Sequence, residues 1–166
     1  IEILLRAVTQ LQGDWRLRLV SGGSAMDEMK ALAQSLGITD QVEFVGQLPS
    51  TDLPAEYHKI DALILPSLTC PNWKEQFGRV LVEAMASGVP VIGSDSGAIP
   101  TVIDDAGLIT PEGDVQALAQ AIQQLMDKPD LRADLIQRGR ERFLSHYTHE
   151  SIAQATVDVY REMMQE

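Results

Sequence analysis

Two carboxylates stand eight residues apart in the stretch KEQFGRVLVEAMASGVPVIGSDSG, residues 74–97. Glu83 is embedded among Val80, Leu81, Val82, Ala84, Met85 and Ala86, while Glu75 comes just before Phe77-Gly78. An ionised carboxylate removed from water is costly unless it is paired or hydrogen-bonded, so its partner decides what Glu83 does. Arg79 lies four residues before it, one helical turn away, and an internal ion pair is one answer. The other is that Glu83 faces a cleft and accepts hydrogen bonds from adjacent hydroxyls of a ligand. Glu83 is five residues past Gly78, about 7.5 Å along a helix axis, and Glu75 then lies beyond the helix mouth. Two acceptors placed in this way can grip two hydroxylated parts of one elongated ligand.

The residues between them supply a complementary chemistry. Gly78 lacks a side chain where a backbone has to come close to a ligand, or where helix and strand crowd. A helix read from Phe77 to about Ser87 puts Phe77, Gly78, Arg79 and Val80 in its first turn. The N–H groups there have no intrahelical partner and carry the positive end of the helix dipole. Such a turn holds an anion. Phosphate at the amides and sugar hydroxyls at the two carboxylates together describe a nucleotide-sugar.

These residues need a scaffold, and the pattern around them provides one. An amphipathic helix opens the chain with Ile3, Leu4, Ala7, Val8 and Leu11 on one stripe. Strand-like runs RLRLVSG, QVEFVG, DALILPS, VPVIGS and GLITP alternate with helical segments. One of these, SAMDEMKALAQSLG, has Ser24 as a candidate N-cap and Gly37 as its stop. Helical patterns run from Asp114 to about Met126, Asp130 to about Ser145 and Glu150 to Met164. Alternation of this kind implies βαβ units, hence an α/β fold with a Rossmann-like parallel sheet and a helical C-terminal extension. Open parallel sheets bind ligands at the carboxyl ends of their strands. The loops at Gly22-Gly23, Gly46 to Pro49, Pro66 to Gln76 and Ser94 to Pro100 all fall there. With helix first and no strand before it, the chain reads as one domain, residues 1–166, lacking its first strand and a partner domain.

Composition narrows the class. The 166 residues are 45% hydrophobic and 22% charged, as in an ordinary globular domain. A net charge of −11 argues against nucleic acid as a partner. The lone Cys70 excludes an internal disulfide. No apolar run approaches the roughly 20 residues of a membrane span. GGSAM breaks the G-x-G-x-x-G spacing of a dinucleotide fingerprint.

EQFGRVLVE resembles the E-x7-E motif of retaining glycosyltransferases of family 4, also called glycosyltransferase group 1. LRLVSGG, LGITDQVEFVGQLPSTDLPAEYHKIDALILPS and EAMASGVPVIGSDSGAIPTVIDDAGLITPEGDVQALAQAI are similar to successive family segments, so the likeness covers nearly the whole chain. The resemblance implies the donor-binding half of a two-domain GT-B architecture. It assigns Glu83 to the ribose hydroxyls and Glu75, the implied catalytic residue, to the transferred sugar. Phe77, Gly78, Arg79 and Val80 are assigned to the sugar and diphosphate, and main-chain groups of Leu48 to the base. Gly22 and Gly23 border the donor cleft. The implied reaction transfers a hexosyl group with retained anomeric configuration, a UDP-sugar being favoured over a GDP-sugar, in polysaccharide or glycoconjugate biosynthesis.

No cofactor and no metal are expected. A glycan or lipid-linked acceptor would bind through the N-terminal domain, and the isolated fragment is expected to be inactive and to self-associate. A cytoplasmic location follows, with the inner membrane surface an option for the full-length protein. The family's Arg–Lys clamp on the diphosphate lies before Ile1, and Ala98 and Thr101 stand where Gly and Glu are usual. A non-catalytic α/β module that binds a metabolite or partner is the competing class.

Overall fold

The structure, a computed structural model, describes residues 1–20 and 22–164. Five short strands, β1 (Leu17–Leu19), β2 (Val42–Phe44), β3 (Leu63–Leu65), β4 (Val91–Ser94) and β5 (Gly107–Thr110), are each paired in parallel with a neighbour. Helices α1 (Glu2–Val8), α2 (Met26–Ser35), α3 (Leu53–Tyr57), α4 (Arg79–Ala86) and α5 (Ile99–Ile103) are interleaved with them. Helices α6 (Val115–Asp127), α7 (Pro129–His146) and α8 (His149–Met163) follow β5. Parallel strands with helical crossovers bear out the α/β reading.

The strands form two sheets, β1-β2 and β3-β4-β5, rather than one. Helices cover both faces, as parallel sheets require. On one face Leu4, Leu5, Ala7 and Val8 of α1 pack with Leu118, Ala119, Ala121 and Leu125 of α6, over Leu17, Leu19 and Ile92. On the other, Leu81, Val82, Ala84 and Met85 of α4 join Ile99, Val102 and Ile103 of α5 around Val91. Val91 and Ile92 are adjacent on the central strand of the three, so strand alternation sends one to each core. Ile92, Val91, Leu5, Leu81, Ile99 and Ile103 are fully buried.

Several boundaries differ from the sequence reading for local reasons. The helix expected from Phe77 begins at Arg79, because Gly78 caps it in the left-handed region at φ 79°. Ser24 does not cap α2; the N-cap is Ala25, with no side-chain bond. Gly37 does stop that helix, at φ 70°, and Ile38 N donates back to Ala33 O. Helix α5 lies where a loop was read, since five residues with a proline in the first turn carry no visible period.

The C-terminal helices hold the site-bearing ones in place. Gly139 of α7 sits against Met85, where an added Cβ would come within 3.1 Å of Met85 Cγ. Arg140 donates to the Ala86 carbonyl at the end of α4, and Arg142 to the Thr101 and Val102 carbonyls at the end of α5. Cations at helix C-termini satisfy orphan carbonyls and complement the dipole. Helix α8 buries no residue, and Ile152, Val157, Val159, Tyr160 and Met163 are exposed along it.

Candidate functional site

Helix α4 is not apolar on every side, as its sequence suggested. Leu81, Val82, Ala84 and Met85 are buried, while Arg79 is exposed and Val80, Glu83 and Ala86 are half-buried along one outward stripe. Glu83 therefore sits at an edge of the core with a side chain 32% exposed. Its Oε1 lies 3.1 Å from Arg79 Nε, and its Oε2 accepts a 2.7 Å hydrogen bond from the Tyr57 hydroxyl. The first answer posed by the sequence holds, since the acid is paired with Arg79, and its side chain is still open to solvent. Its charge is thus supported by Arg79, Tyr57 and water, without requiring a ligand. Burial, and then the bond to Glu83, pushes the Tyr57 phenol well above its usual range, so it remains a donor.

Glu75 is placed differently from the simplest expectation. Its Oε1 accepts from Gly78 N at 3.0 Å and from Phe77 N at 3.4 Å. The mouth of α4 is thus capped by the chain's own carboxylate, which stands where an incoming anion was expected. Leu81 N donates to Gly78 O, leaving the Arg79 and Val80 amides without a recorded partner among the described residues. Gly78 itself is buried, and an added Cβ would lie 2.8 Å from Leu81 Cδ1 and 3.3 Å from Leu65 Cδ2. Backbone conformation and helix–strand crowding, rather than open room for a ligand, account for the glycine. Phe77 is exposed and meets Tyr147 edge to face at 5.8 Å.

The loop that carries Glu75 is fixed by neighbours the sequence did not single out. Ala98 N donates to Glu75 O at 3.0 Å. Gly97, at φ 55°, lies so close that a Cβ there would fall 1.9 Å from Glu75 O. At the loop's other end Glu112 takes two bonds from Thr69, 2.6 Å from its N and 2.5 Å from its Oγ1. The buried Ser96 Oγ lies 3.1 Å from Thr69 Oγ1. Ser94 Oγ donates to Ser67 O at 2.6 Å, tying the ends of β3 and β4. Tyr57 lies 26 residues from Glu83, Gly97 lies 22 from Glu75 and Glu112 lies 43 from Thr69, so no local spacing announces them.

Hydrogen bonds from the Thr69 hydroxyl and then its N–H hold the Glu112 carboxyl below the ordinary glutamate range. A lowered folded-state value contributes stability that is fully present above the ordinary range and is lost as pH falls through the lowered value. Acid should therefore loosen the Thr69 end of the loop. Thermal denaturation against pH should show a falling acid limb that is shallower in Glu112→Gln, and identical limbs would remove the clamp from the account.

Gly22, Gly23 and Leu48 form a second group beyond β1 and β2. An added Cβ on Gly22 would sit 3.2 Å from Gln47 Cβ, so the glycine loop and the Gln47-Leu48 loop do meet. Both glycines are exposed and Leu48 is half-buried. Among the described residues no hydrogen bond joins this group to the carboxylates.

Comparison with known proteins adds an independent line. Residues 1–142 match the model of a family described as glycosyl transferases group 1. A D-inositol 3-phosphate glycosyltransferase from Saccharomonospora viridis is 32% identical over 98% of this chain, which spans 40% of that relative's length. Sucrose-phosphate synthase from Thermosynechococcus elongatus superposes with a TM-score of 0.81 at 32% identity, over 99% of this chain and 42% of its own. The Anabaena protein HepE, solved in complex with UDP, gives a TM-score of 0.84 at 25% identity, over 96% of this chain and 44% of that one.

Proposed function

The chain belongs to the glycosyl transferases group 1 family, and from that premise we propose that it is the donor-binding half of a retaining hexosyltransferase of family 4. The observation that carries this reading is the pair of carboxylates about one helix: Glu75, from the preceding loop, at its mouth, and Glu83, five residues past Gly78 and just over one turn in, still open to solvent. In it Glu83 accepts hydrogen bonds from the ribose hydroxyls of a nucleotide diphosphate sugar. Arg79 and the Arg79 and Val80 amides take the diphosphate, where a cation and the helix dipole add. Glu75 leaves the Gly78 amide and accepts from hydroxyls of the transferred sugar, which frees a further N–H for the diphosphate. The bond broken joins the anomeric carbon to the diphosphate. The bond formed joins that carbon, on the same face, to an acceptor oxygen that has lost its proton. Charge grows on the departing diphosphate, and donors fixed at the helix mouth stabilise it as it forms.

Leu48 backbone groups read the base, with Gly22 and Gly23 beside it. A uridine donor is favoured, in keeping with the UDP bound by HepE, and a guanosine donor comes next. The acceptor, a glycan or lipid-linked glycan, and the base that deprotonates it belong to a second domain. No helix among the described residues is long and apolar enough to cross a membrane.

The experiment is a calorimetric titration of the 166-residue chain, and of the full-length protein, with UDP and GDP. The fragment should bind a nucleotide diphosphate weakly and transfer nothing, while the full-length protein turns over the matching nucleotide-sugar. Absence of binding by either form would leave a non-catalytic module as the better description. Turnover by the fragment alone would overturn the need for a second domain.

A further inference from the structure

Glu83 has two side-chain partners, and they differ in kind. Arg79 stands on the same helix with a side chain 73% exposed. A solvated pair of this sort holds its members loosely. Tyr57 is buried, and its ring belongs to the core that Leu81, Val82 and Met85 of α4 help to build. A tyrosine has only two side-chain torsions, and a packed core fixes both. Its hydroxyl, 2.7 Å from Glu83 Oε2, is therefore the rigid partner.

Helix α3, which carries Tyr57, is itself pinned. Glu56, the preceding residue, accepts from Arg18 Nη2 at 2.7 Å and from Lys59 Nζ at 2.6 Å. Arg18 also pairs with Glu43, its cross-strand neighbour on β2. Leu17 and Leu19 turn to the core under α1 and α6, so strand alternation sends Arg18 to the opposite face, toward α3. Adjacent residues of one short helix thus hold β1 on one side and Glu83 on the other. Strands β1 and β2 run on into the loops of Gly22-Gly23 and Leu48.

We propose that Tyr57 is a positioning residue of the donor site, fixing the plane of the Glu83 carboxylate so that it meets both neighbouring hydroxyls of a ribose. The inference rests on the transferase reading above and adds the source of its ribose selectivity. An ionised carboxylate offers about four acceptor positions. Arg79 occupies one at Oε1 and Tyr57 one at Oε2, which leaves one on each oxygen. Two hydroxyls on adjacent carbons fit such a pair only when the carboxylate plane is set in advance. Water can replace the Tyr57 hydroxyl as a donor, but it does not set the plane. Through Glu56 and Arg18, α3 also sets this acceptor pair relative to the loops that the reading gives to the base.

Calorimetric titration of the full-length protein tests this, using whichever of UDP and GDP binds more tightly and its 2′-deoxy analogue. Wild type is compared with Tyr57→Phe, which removes one oxygen and leaves the buried ring in place. Wild type should prefer the ribonucleotide at least about tenfold, the worth of one bond to a charged acceptor. In Tyr57→Phe, affinity for the ribonucleotide should fall roughly tenfold, as expected when a freed side chain must be ordered on binding. Its preference over the deoxy analogue should shrink at least about threefold, since a single hydroxyl needs no fixed plane. Equal weakening of both nucleotides would make Tyr57 a structural residue only and overturn the proposal. So would wild-type affinity and preference in Tyr57→Phe. A wild type without any ribose preference is a separate result: it takes Glu83 away from the ribose, and the transferase reading of that residue falls together with this one.

Discussion

Gly97→Ala should be the most damaging single-methyl change near the site. The residue sits at φ 55°, where a side chain costs about 1–2 kcal/mol. The new Cβ would also lie 1.9 Å from Glu75 O, a backbone atom that cannot rotate away. Relieving the overlap must break the Ala98 N to Glu75 O bond, worth about 1 kcal/mol. A loss of about 3 kcal/mol or more is expected, or roughly 6–12 °C in melting temperature for a domain of this size. Gly113→Ala provides the comparison. Its φ of 74° is equally unfavourable, but its nearest neighbour would be Leu68 Cδ2 at 3.9 Å. That variant should lose only the conformational part, about 1–2 kcal/mol. Equal losses in calorimetric melts of the two would show that Gly97 does not hold Glu75. If Glu75 serves the sugar, transfer by full-length Gly97→Ala should fall further than its stability explains.

The second large effect is expected at Glu83. On the proposed reading, replacing it with Ala removes acceptors for the ribose, and bonds to a charged group contribute about 1.5–3 kcal/mol each. Two such bonds predict a dissociation constant for the nucleotide diphosphate at least about 100-fold weaker. The same change strands the Tyr57 hydroxyl, which is 6% exposed as a residue, so stability should fall by about 1–3 kcal/mol. Glu83→Gln separates the two roles. Its amide oxygen still accepts from Tyr57 and restores most of the stability, but the charge and half of the acceptor capacity are gone. Nucleotide affinity close to wild type in Glu83→Gln, measured by titration, would remove Glu83 from the donor site.

The parts of this site that were legible in the sequence are those encoded by local spacing. The E-x7-E interval, the glycine before an apolar run and the alternation of strands with helices need only the geometry of one helix and one pleat. What escaped depends on chain segments that meet only after folding. Tyr57 comes from a five-residue helix and reaches Glu83 across 26 positions, a separation that carries no periodic signal. Glu75 was expected to wait for a ligand, but a free helix mouth is itself a strong attractor, and the nearest carboxylate fills it. The split of the sheet was invisible for a further reason. Strand signals report pleat and burial, not which edges find partners, and three-residue strands give little register information.

Between its two anchored ends, the segment from Cys70 to Lys74 is exposed and closed on itself, Cys70 and Trp73 exchanging backbone hydrogen bonds. Thr69 is held by Glu112 on one side and Glu75 by Ala98 on the other, so nothing inside the segment is needed to position the carboxylate. This arrangement makes the segment a cassette. Lengthening it costs only the slow logarithmic growth of closure entropy, about 0.6 kcal/mol for a doubling. Grafts of other lengths and chemistries can therefore be installed beside Glu75 without re-engineering the scaffold, and on the proposed transferase reading this is the entry point for altering which acceptor is glycosylated.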